Sequence, residues 1–401
     1  MRVEDLLPRR SKKSLQIPSD IIAFGGDTQF GRLERDLVDW VGGEDIVTRL
    51  RVGIVGAGRR VDYLYCPLVK LMTDDLELVG IYSRSLESAR LVGEKYRCPQ
   101  FDDLDRFVET TRPDLLVVSV SSRAYGEVAR SVVNYGIPML IETPIAQDLE
   151  DADAIIATGR KKRAPIEVAE QYFRRPMERI KTEVLRAGHF GTVNVAYNDC
   201  MGHAYHGISL IRSYIGFDVP ATRVSATIHS FGVQLHSSSA SGLDVESEQW
   251  EHAVITFANG ARGVFDWTSI GYGSAIRWQR STHFLATKGM ALGGELTLLS
   301  KDGKAAAPIW IERRIHNIGG MEVLSEVVAH TDPPIHWVNP FSRYLMDDEL
   351  IAEAAGLQSL IDAIRTGQPP EYGPVNARVD QAIYLAMKRS AALDGAPVDI
   401  E

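Results

Sequence analysis

Two histidines and an aspartate recur at short intervals near the middle of the chain, at Asp199, His203 and His206. A histidine titrates close to neutral pH, so its ring can take a proton from a reacting group and return it. If this segment is helical, its spacing puts all three side chains on one face, where Asp199 would fix the tautomer of His203 or raise its pKa. Tyr205 would point elsewhere on a regular helix, but from a helix start it could reach the same site. The pattern predicts acid–base chemistry.

The same His-x-x-His spacing can place two metal ligands on one helical face. Zinc would need at least one further ligand, for which Asp199 and Glu170 are the nearest candidates in the sequence. Because the sequence contains no tight cluster of ligands, we predict no metal site.

A pair of glycines at the end of a short apolar run indicates an anion site. Residues 51–60 read Arg-Val-Gly-Ile-Val-Gly-Ala-Gly-Arg-Arg. Gly56 would let a strand turn tightly, and Gly58, which has no Cβ, would let phosphates approach the backbone. The N–H groups of the next helix, which Arg59 and Arg60 would open, would face the anion. The motif therefore predicts that a dinucleotide pyrophosphate binds here.

The surrounding residues support this reading and bear on the choice of dinucleotide. Strand-like runs at 76–82 and 114–120 alternate with helical spacing, although Val61 stands where the fingerprint usually has Gly or Ala. After the second strand, an acidic residue would bind the ribose of NAD and exclude a 2′-phosphate. Here Ser83 can donate to a phosphate and Arg84 can pair with it or stack on adenine, which favours NADP, with NAD as the alternative.

Composition narrows the class of protein. The length of 401 residues suggests two domains, and a hydrophobic fraction of 45% suffices for a sizeable core. A net charge of -9, with scattered basic residues, indicates no basic surface that would bind nucleic acid, so we expect a small-molecule partner. The three cysteines are far apart and form no Cys-x-x-Cys pair, which fits a reducing cytoplasm. Because no apolar run is long enough to cross a bilayer, we expect no membrane partner.

The order of predicted elements indicates an α/β fold. Residues 1–50 are expected to form an N-terminal arm, and 51–171 a Rossmann domain with a doubly wound parallel sheet. Residues 172–401 are expected to form an α+β domain with a large, mostly antiparallel open sheet, and its helices at 347–394 would pack back on the Rossmann domain. We interpret 235–248 as an exposed loop. Strands of the second domain are expected at 192–198, 222–230, 252–258, 262–268 and 283–287. The exposed face of that sheet predicts a homodimer or homotetramer.

From residue 51 onward the chain resembles the glucose-fructose oxidoreductase, inositol dehydrogenase and MocA (Gfo/Idh/MocA) family. The resemblance rests on the order of several motifs as well as on local matches. These are Val-Gly-Ile-Val-Gly-Ala-Gly at 52–58, Tyr-Gly-Ile-Pro-Met-Leu-Ile-Glu-Thr-Pro at 135–144, His206 to Arg212 with Gly216, Phe-Leu-Ala-Thr-Lys-Gly at 284–289, and the closing helical pair at 367–397.

The resemblance implies NAD or NADP binding and hydride transfer at a carbon bearing oxygen, most often in a sugar, polyol or related cyclic alcohol. His206 keeps the family's histidine position and is the first choice for acid or base, with His203 assisting. By family position, further residues would lie beside the cofactor: Val120, Ser121, Tyr125, Glu142, Thr143, Pro144 and Gln171. A cis peptide at Pro144 would shape its turn.

The resemblance also places substrate contacts. Tyr172, Arg174 and Arg175 would continue from Gln171 into the second domain, where Arg174 or Arg175 could grip an anionic or hydroxyl-rich substrate. Asp199, from its spacing to the histidines, is counted with these substrate-side residues. Trp267 or Trp278 could stack on a sugar ring.

Two departures from the family pattern remove polar groups. Thr143 replaces the Lys of Glu-Lys-Pro and can only orient, because its hydroxyl is no base near neutral pH, and Gly202 stands where an Asp is common. Two alternatives to an oxidoreductase follow. One is a lyase, epimerase or glycoside-cleaving enzyme that uses tightly bound NAD transiently, and the other is a non-catalytic nucleotide-binding protein.

Overall fold

A parallel sheet of six strands forms the first part of the structure, a computed structural model that describes residues 49–121, 125–237, 244–269 and 280–401. Its strands are β1 (Leu50–Val55), β2 (Leu76–Tyr82), β3 (Gln100–Phe101), β4 (Leu115–Val118), β5 (Met139–Ile141) and β6 (Ile166–Val168). They lie in the order β3-β2-β1-β4-β5-β6, so the order reverses between β1 and β4. Open α/β sheets bind ligands at such a reversal, outside the carboxyl ends of the strands.

Both faces of this sheet are buried, which explains its apolar strands. Leu115 and Val117 of β4 face one core, and Leu116 and Val118 face the other. The covering helices are a π-helical turn (Val61–Tyr65) that runs into α1 (Cys66–Leu71), then α2 (Leu86–Tyr96), α3 (Leu104–Thr111), α4 (Tyr125–Val132) and α5 (Leu149–Lys162).

A mixed, mostly antiparallel sheet of nine strands follows. Its strands are β7 (Val193–Asp199), β8 (Ala221–Ser237), β9 (Asp244–Phe257), β10 (Arg262–Thr268), β11 (Ser281–Ala286), β12 (Gly289–Leu292), β13 (Glu295–Leu299), β14 (Ala306–Ile309) and, at the end of the chain, β18 (Val398–Asp399). The order is β14-β13-β12-β11-β7-β10-β9-β8-β18, and β7 and β10 are parallel. The predicted α/β fold class, with its two kinds of sheet, is confirmed.

Helices and a small third sheet complete the structure. The helices are α6 (Pro176–Arg186), α7 (Ala204–Ile215), α8 (Asp348–Thr366) and α9 (Gly373–Ala392), and the third sheet comprises β15 (Ile311–Ile318), β16 (Met321–Ala329) and β17 (Ile335–Val338). Helix α7 packs on β7 and β10, α8 contacts β5 and β6, and α9 contacts α5, β6, α7 and β8. The end of β4, the β5–α5 loop, the segment after β6 and the start of α7 thereby surround one region.

One predicted loop is wrong, and some predictions fall on parts of the chain that the structure does not describe. Residues 235–248 were expected to form an exposed loop, but 235–237 belong to β8 and 244–248 to β9, which pair antiparallel, and 238–243 lie outside the described residues. The predicted arm, except for residues 49 and 50, and Trp278 lie outside the described residues. Residues Arg49–Glu401 group as one unit, and the boundary at 171/172 stays a prediction. Among the helices described, none combines the length and apolarity that a membrane crossing requires.

Candidate active site

The glycine-rich turn after β1 lies where the strand order reverses. Gly56 has φ = +122°, and a Cβ on it would lie 1.9 Å from the carbonyl oxygen of Ser119, so the backbone requires glycine. A Cβ on Gly58, by contrast, would meet no atom within 4 Å. Gly58 therefore borders open space, as a backbone that receives a phosphate must.

The helix after this turn carries the two predicted arginines, which behave differently. Val61 is fully buried in the core, so the chain accommodates its side chain where the fingerprint usually has Gly or Ala. Arg59 is exposed, with its Cζ 6.0 Å from the ring centroid of Tyr63. Arg60 turns inward, toward the β5–α5 loop.

Arg60 joins a network of charges around Glu142, which follows β5. The Nε of Arg60 donates to Glu142 Oε1, and its Nη2 donates to Glu353 Oε1 of α8 at 2.7 Å. Tyr65 donates its hydroxyl proton to the same Glu142 oxygen at 2.5 Å. Burial raises the pKa of Glu353 to about 8. The sequence analysis missed Glu353, because no local motif connects residues so far apart in the chain.

The central feature of the site is a contact between Glu170, just after β6, and His206, in the first turn of α7. Glu170 Oε2 lies 2.6 Å from His206 Nδ1, and Glu170 Oε1 accepts the backbone N–H of Tyr172 at 3.1 Å. His206 Nε2 lies 3.5 Å from the hydroxyl of Thr143. Thr143 precedes Pro144, and the expected cis peptide between them is confirmed. The sequence analysis named Glu170 only as a possible metal ligand.

Burial controls the protonation of this pair. It raises the pKa of Glu170 to about 8 and lowers the pKa of His206 to about 3. Low-dielectric surroundings disfavour a charge on either group. Near neutral pH the proton that the two residues share therefore lies on Glu170, and the imidazole is neutral.

Aromatic rings surround His206. The ring centroid of Tyr172 lies 4.8 Å from that of His206, and those of Tyr205 and His203 each lie 4.7 Å away. His203 is the residue before α7, and its ring is 6.0 Å from that of Trp267 on β10. Burial lowers the pKa of His203 to about 3, so this ring is also neutral near pH 7.

The predicted helical face of Asp199, His203 and His206 is wrong. Asp199 is the last residue of β7 and is exposed, and α7 begins only at Ala204. The carboxylate that contacts a histidine of the site is Glu170, on another element, and its partner is His206 rather than His203.

Gly202 has no room for the Asp that the family often has there. A Cβ on Gly202 would lie 2.8 Å from the backbone nitrogen of Gly207 and 2.9 Å from the carbonyl carbon of His206. The side-chain amide of Asn198 bonds both the N–H and the C=O of Gly202 at 2.9 Å. This turn packs directly under the start of α7 and holds His206 in place.

The structure corrects the substrate role predicted for Arg174. Its side chain is 0% exposed, and it donates to Glu167 at 2.8 Å and to Glu371 at 3.1 Å. A guanidinium that is fully buried in ion pairs cannot meet a substrate. The partly exposed Arg175 lies closer to the rings, with its Cζ 4.2 Å from the ring centroid of Tyr172.

Residues predicted at the adenosine end follow β2. The Oγ of Ser83 accepts the backbone N–H of Ser85 at 3.4 Å. Arg84 is exposed and, within the part of the chain that the structure describes, makes no salt bridge. Its guanidinium is thus available to an anion.

The residues predicted along the rest of the cofactor lie beyond β4 and β6. Val120 is half-buried and Ser121 is exposed, whereas Tyr125 is buried and its hydroxyl lies 3.4 Å from the carbonyl oxygen of Val118. Gln171 is 7% exposed, and its Oε1 has no hydrogen-bond partner. An amide oxygen without a partner suits the donor N–H₂ of a nicotinamide carboxamide. Together with the open space at Gly58, these residues fit a nicotinamide dinucleotide. Their contacts with it stay predictions.

A metal-binding cluster is not apparent in this region. Across residues 49–121, 125–237, 244–269 and 280–401, no group of three or more His, Cys, Asp and Glu side chains is placed to hold a metal ion.

Comparisons with known proteins agree with the fold. Residues 50–170 match the family model described as "Oxidoreductase family, NAD-binding Rossmann fold" (GFO_IDH_MocA). D-glucoside 3-dehydrogenase of Escherichia coli K12 is 30% identical over 113 residues, which are 28% of this chain and 32% of that protein. The chain covers about a third of the length of the curated relatives it matches.

Two solved structures extend the likeness to most of the chain. An oxidoreductase from Agrobacterium radiobacter, in complex with NAD+, L-tartaric acid and magnesium, has 15% identity and a TM-score of 0.63, covering 88% of this chain and 98% of that one. The WlbA dehydrogenase from Bordetella pertussis, in complex with NADH and UDP-GlcNAcA, has 17% identity and a TM-score of 0.61, covering 88% and 99%. These likenesses show a shared fold. Over residues 50–170, the chain is similar to the Gfo/Idh/MocA family of NAD-binding oxidoreductases.

Proposed function

We propose that this chain is an NADP- or NAD-dependent oxidoreductase that moves hydride to or from a carbon bearing oxygen in a sugar, polyol or related cyclic compound. The observation that supports it most is the buried Glu170–His206 pair, whose Nδ1–Oε2 distance is 2.6 Å and whose free Nε2 lies beside Thr143. His206 is the proposed acid/base. The nicotinamide supplies the hydride acceptor or donor, and the protein must manage the proton of the substrate oxygen.

His206 and Glu170 can act together as a proton relay. With Glu170 ionised, it accepts a hydrogen bond from Nδ1–H, and Nε2 presents a lone pair. When Nε2 takes the substrate proton, Nδ1 passes its own proton to Glu170, so the imidazole is neutral before and after. The raised pKa of Glu170 and the lowered pKa of His206 both favour this result over an imidazolium.

Neighbouring residues would position the reacting groups. The hydroxyl of Thr143 lies 3.5 Å from His206 Nε2, so it can orient a substrate hydroxyl. Arg60, on Glu142, would supply a positive charge beside the loop in which the family usually has a lysine. His203, whose pKa is lowered, would hold the His206 ring rather than exchange protons itself.

We further propose NADP as the preferred cofactor, because Arg84 is exposed and no acidic residue follows β2 there. Arg84→Ala should weaken NADP binding by about tenfold or more and leave NAD binding within about twofold. Arg90→Ala, another exposed arginine on the next helix, is the matched control. Equal effects of Arg84→Ala on both nucleotides would contradict the NADP preference. The cytoplasm, inferred from the three scattered cysteines, and a homodimer or homotetramer remain part of the proposal.

The experiment that tests the function compares His206→Gln with His330→Gln, an exposed histidine that directly follows β16. NADP and NAD binding is measured by calorimetry, and turnover by nicotinamide absorbance with D-glucose, D-glucosamine and myo-inositol. We expect His206→Gln to bind nucleotide normally and to lose about 100-fold or more of turnover. Unchanged turnover would refute the role of His206. A purified protein that retains nucleotide but shows no net nicotinamide turnover would indicate the lyase or epimerase alternative instead.

A further inference from the structure

A buried carboxylate oxygen without a partner lies on the second sheet, outside the residues assigned above. Glu251 on β9 is 3% exposed, and its Oε1 accepts a hydrogen bond from Gln249 Nε2 at 2.9 Å. Its Oε2 is buried and has no hydrogen-bond partner among the described residues. A buried acceptor left unsatisfied costs about 1–3 kcal/mol, and more if it is charged. An unsatisfied buried oxygen of this kind indicates a possible ligand contact.

The sheet register places Glu251 next to the candidate active site. Glu251 pairs directly with Trp267 across β9 and β10, so the two side chains lie on the same face of the sheet. The Trp267 ring is 6.0 Å from that of His203, which is 4.7 Å from His206. A continuous row of side chains thus connects Glu251 to the proposed acid/base.

Helix α9 forms the opposite wall. Tyr384 lies within electrostatic range of both Glu251 and Tyr205, which is next to His206. One turn earlier, Gln381 is 4% exposed and its Oε1 also has no hydrogen-bond partner. Helix α9, which packs on β8 and α7, thus brings a second acceptor oxygen and an aromatic side chain to the same side of the second sheet.

The surroundings of Glu251 also disfavour its ionisation. Burial raises its pKa above the usual value, and the bond from Gln249 and the charge of Lys388 oppose this rise. A hydrogen-bond donor that arrives with a ligand would satisfy Oε2 in either protonation state.

We propose that Glu251 is a substrate-binding residue, whose Oε2 accepts a hydrogen bond from a hydroxyl or ammonium group on the part of a cyclic substrate remote from the carbon at His206. Trp267 and Tyr384 would flank the ring. This inference rests on the proposed function, because it assumes that a sugar-like substrate reacts at His206. The inference adds one feature to the proposed substrate: a donor group, remote from the reacting carbon, that Glu251 binds.

The test compares Glu251→Leu and Glu251→Gln with Glu248→Gln. Glu248 is equally buried on the same strand, but it lies three residues away, on the other face, and accepts the hydroxyl of Thr268. With saturating NADP, KM and kcat are measured for D-glucose, D-glucosamine and myo-inositol. Thermal melting of each free protein is recorded in parallel.

We expect Glu251→Leu to raise KM by about tenfold or more, with kcat within about threefold, while its melting temperature stays equal or rises. A residue with only a structural role would instead lower the melting temperature and leave KM unchanged. If Glu251→Leu does not fold, Glu251→Met, which also lacks an acceptor oxygen, decides by the same KM criterion. When the variant without an acceptor raises KM, a rise in Glu251→Gln confined to D-glucosamine assigns an ammonium, because the amide cannot pair with its charge, and an unchanged KM in Glu251→Gln assigns a hydroxyl, which the amide oxygen still accepts.

Failure of this inference can be told apart from failure of the proposed function. If Glu251 variants keep the KM of Glu248→Gln, the subsite is refuted while the oxidoreductase stands. If no probe is oxidised, calorimetry measures the binding of each probe to the NADP-loaded protein. Equal binding in all variants, or no binding of any probe, refutes the subsite, whereas failure to bind either nucleotide refutes the oxidoreductase itself.

Discussion

Replacing Glu170 by glutamine tests the central claim that burial, more than its histidine partner, sets the protonation of this carboxyl group. Glu170 is fully buried, with Oε1 on the N–H of Tyr172 and Oε2 on His206. Glutamine keeps the size and hydrogen-bonding shape of the side chain but cannot ionise. The variant therefore removes one titration and little else.

The expected size of the effect follows from the shift in pKa. Burial raises the pKa of Glu170 from 4.5 to about 8, so between these values the folded protein keeps a proton that the unfolded chain has released. Its contribution to stability is therefore fully present below pH 4.5, falls as pH rises, and levels off above pH 8. At about 1.4 kcal/mol per pH unit, the loss is on the order of 4–5 kcal/mol at most. His206, whose pKa is lowered, acts in the opposite direction at lower pH, but it is present in both proteins.

The assay is urea unfolding of wild type and Glu170→Gln at pH 5, 7 and 9, followed by circular dichroism. The stability of Glu170→Gln relative to wild type should increase by several kcal/mol between pH 5 and pH 9. Glu322→Gln, at an exposed position on β16, controls for loss of a carboxylate. A difference between wild type and Glu170→Gln that does not change with pH would refute the assignment of a raised pKa, and with it the proposed relay.

Further predictions concern the relay, the cofactor turn and the charge network. The rate of substrate oxidation should rise with an inflection near pH 8, because the relay needs ionised Glu170, whose pKa is raised to about 8. A pH–rate profile of wild type should show this inflection, and that of Glu170→Gln should not. Gly58→Ala should keep its melting temperature but lose nucleotide binding in calorimetry. Gly56→Ala should lower the melting temperature, because its Cβ would lie 1.9 Å from a backbone oxygen. A larger loss of melting temperature in Gly58→Ala than in Gly56→Ala would contradict the proposed turn. Arg60→Met should cost about 3–5 kcal/mol in urea unfolding, since it leaves two carboxylates without their cation, and a loss below about 1 kcal/mol would contradict the network. Gly202→Asp, which supplies the usual family residue, should lower rather than raise turnover and melting temperature, because no room exists for its Cβ.

The parallel sheet was predictable because its signals are local. Buried parallel strands read as continuous apolar runs, and Gly56 marks the turn where β1 ends. The prediction for residues 235–248 was wrong at both ends of the segment, because the structure there depends on pairing with residues distant in sequence. Its Ser-rich, acidic composition is typical of a loop, but pairing between β8 and β9 decides its structure, and composition does not reveal that pairing.

The candidate site was predictable only in part, because its decisive contacts join distant elements. The position of His206 followed from the family resemblance, and the cis peptide was expected at the family position of Pro144. Asp199 was predicted to orient His203 from the same helical face, but β7 and a turn precede α7, and the carboxylate that contacts His206 was not predicted. A signal for Glu170 did exist: it follows directly after a predicted parallel strand, at the edge of the sheet where ligands bind.

The two departures from the family pattern find a common explanation in where the charges now lie. Thr143 brings no cation to the loop after β5, but Arg60 reaches Glu142 from the first helix. Gly202 brings no carboxylate to the start of α7, and none would fit, but Glu170 reaches His206 from the end of β6. A carboxyl group so deeply buried holds its proton to about pH 8, higher than an exposed one would. In the proposed relay, the proton taken from a substrate would therefore come to rest on Glu170 rather than on the histidine.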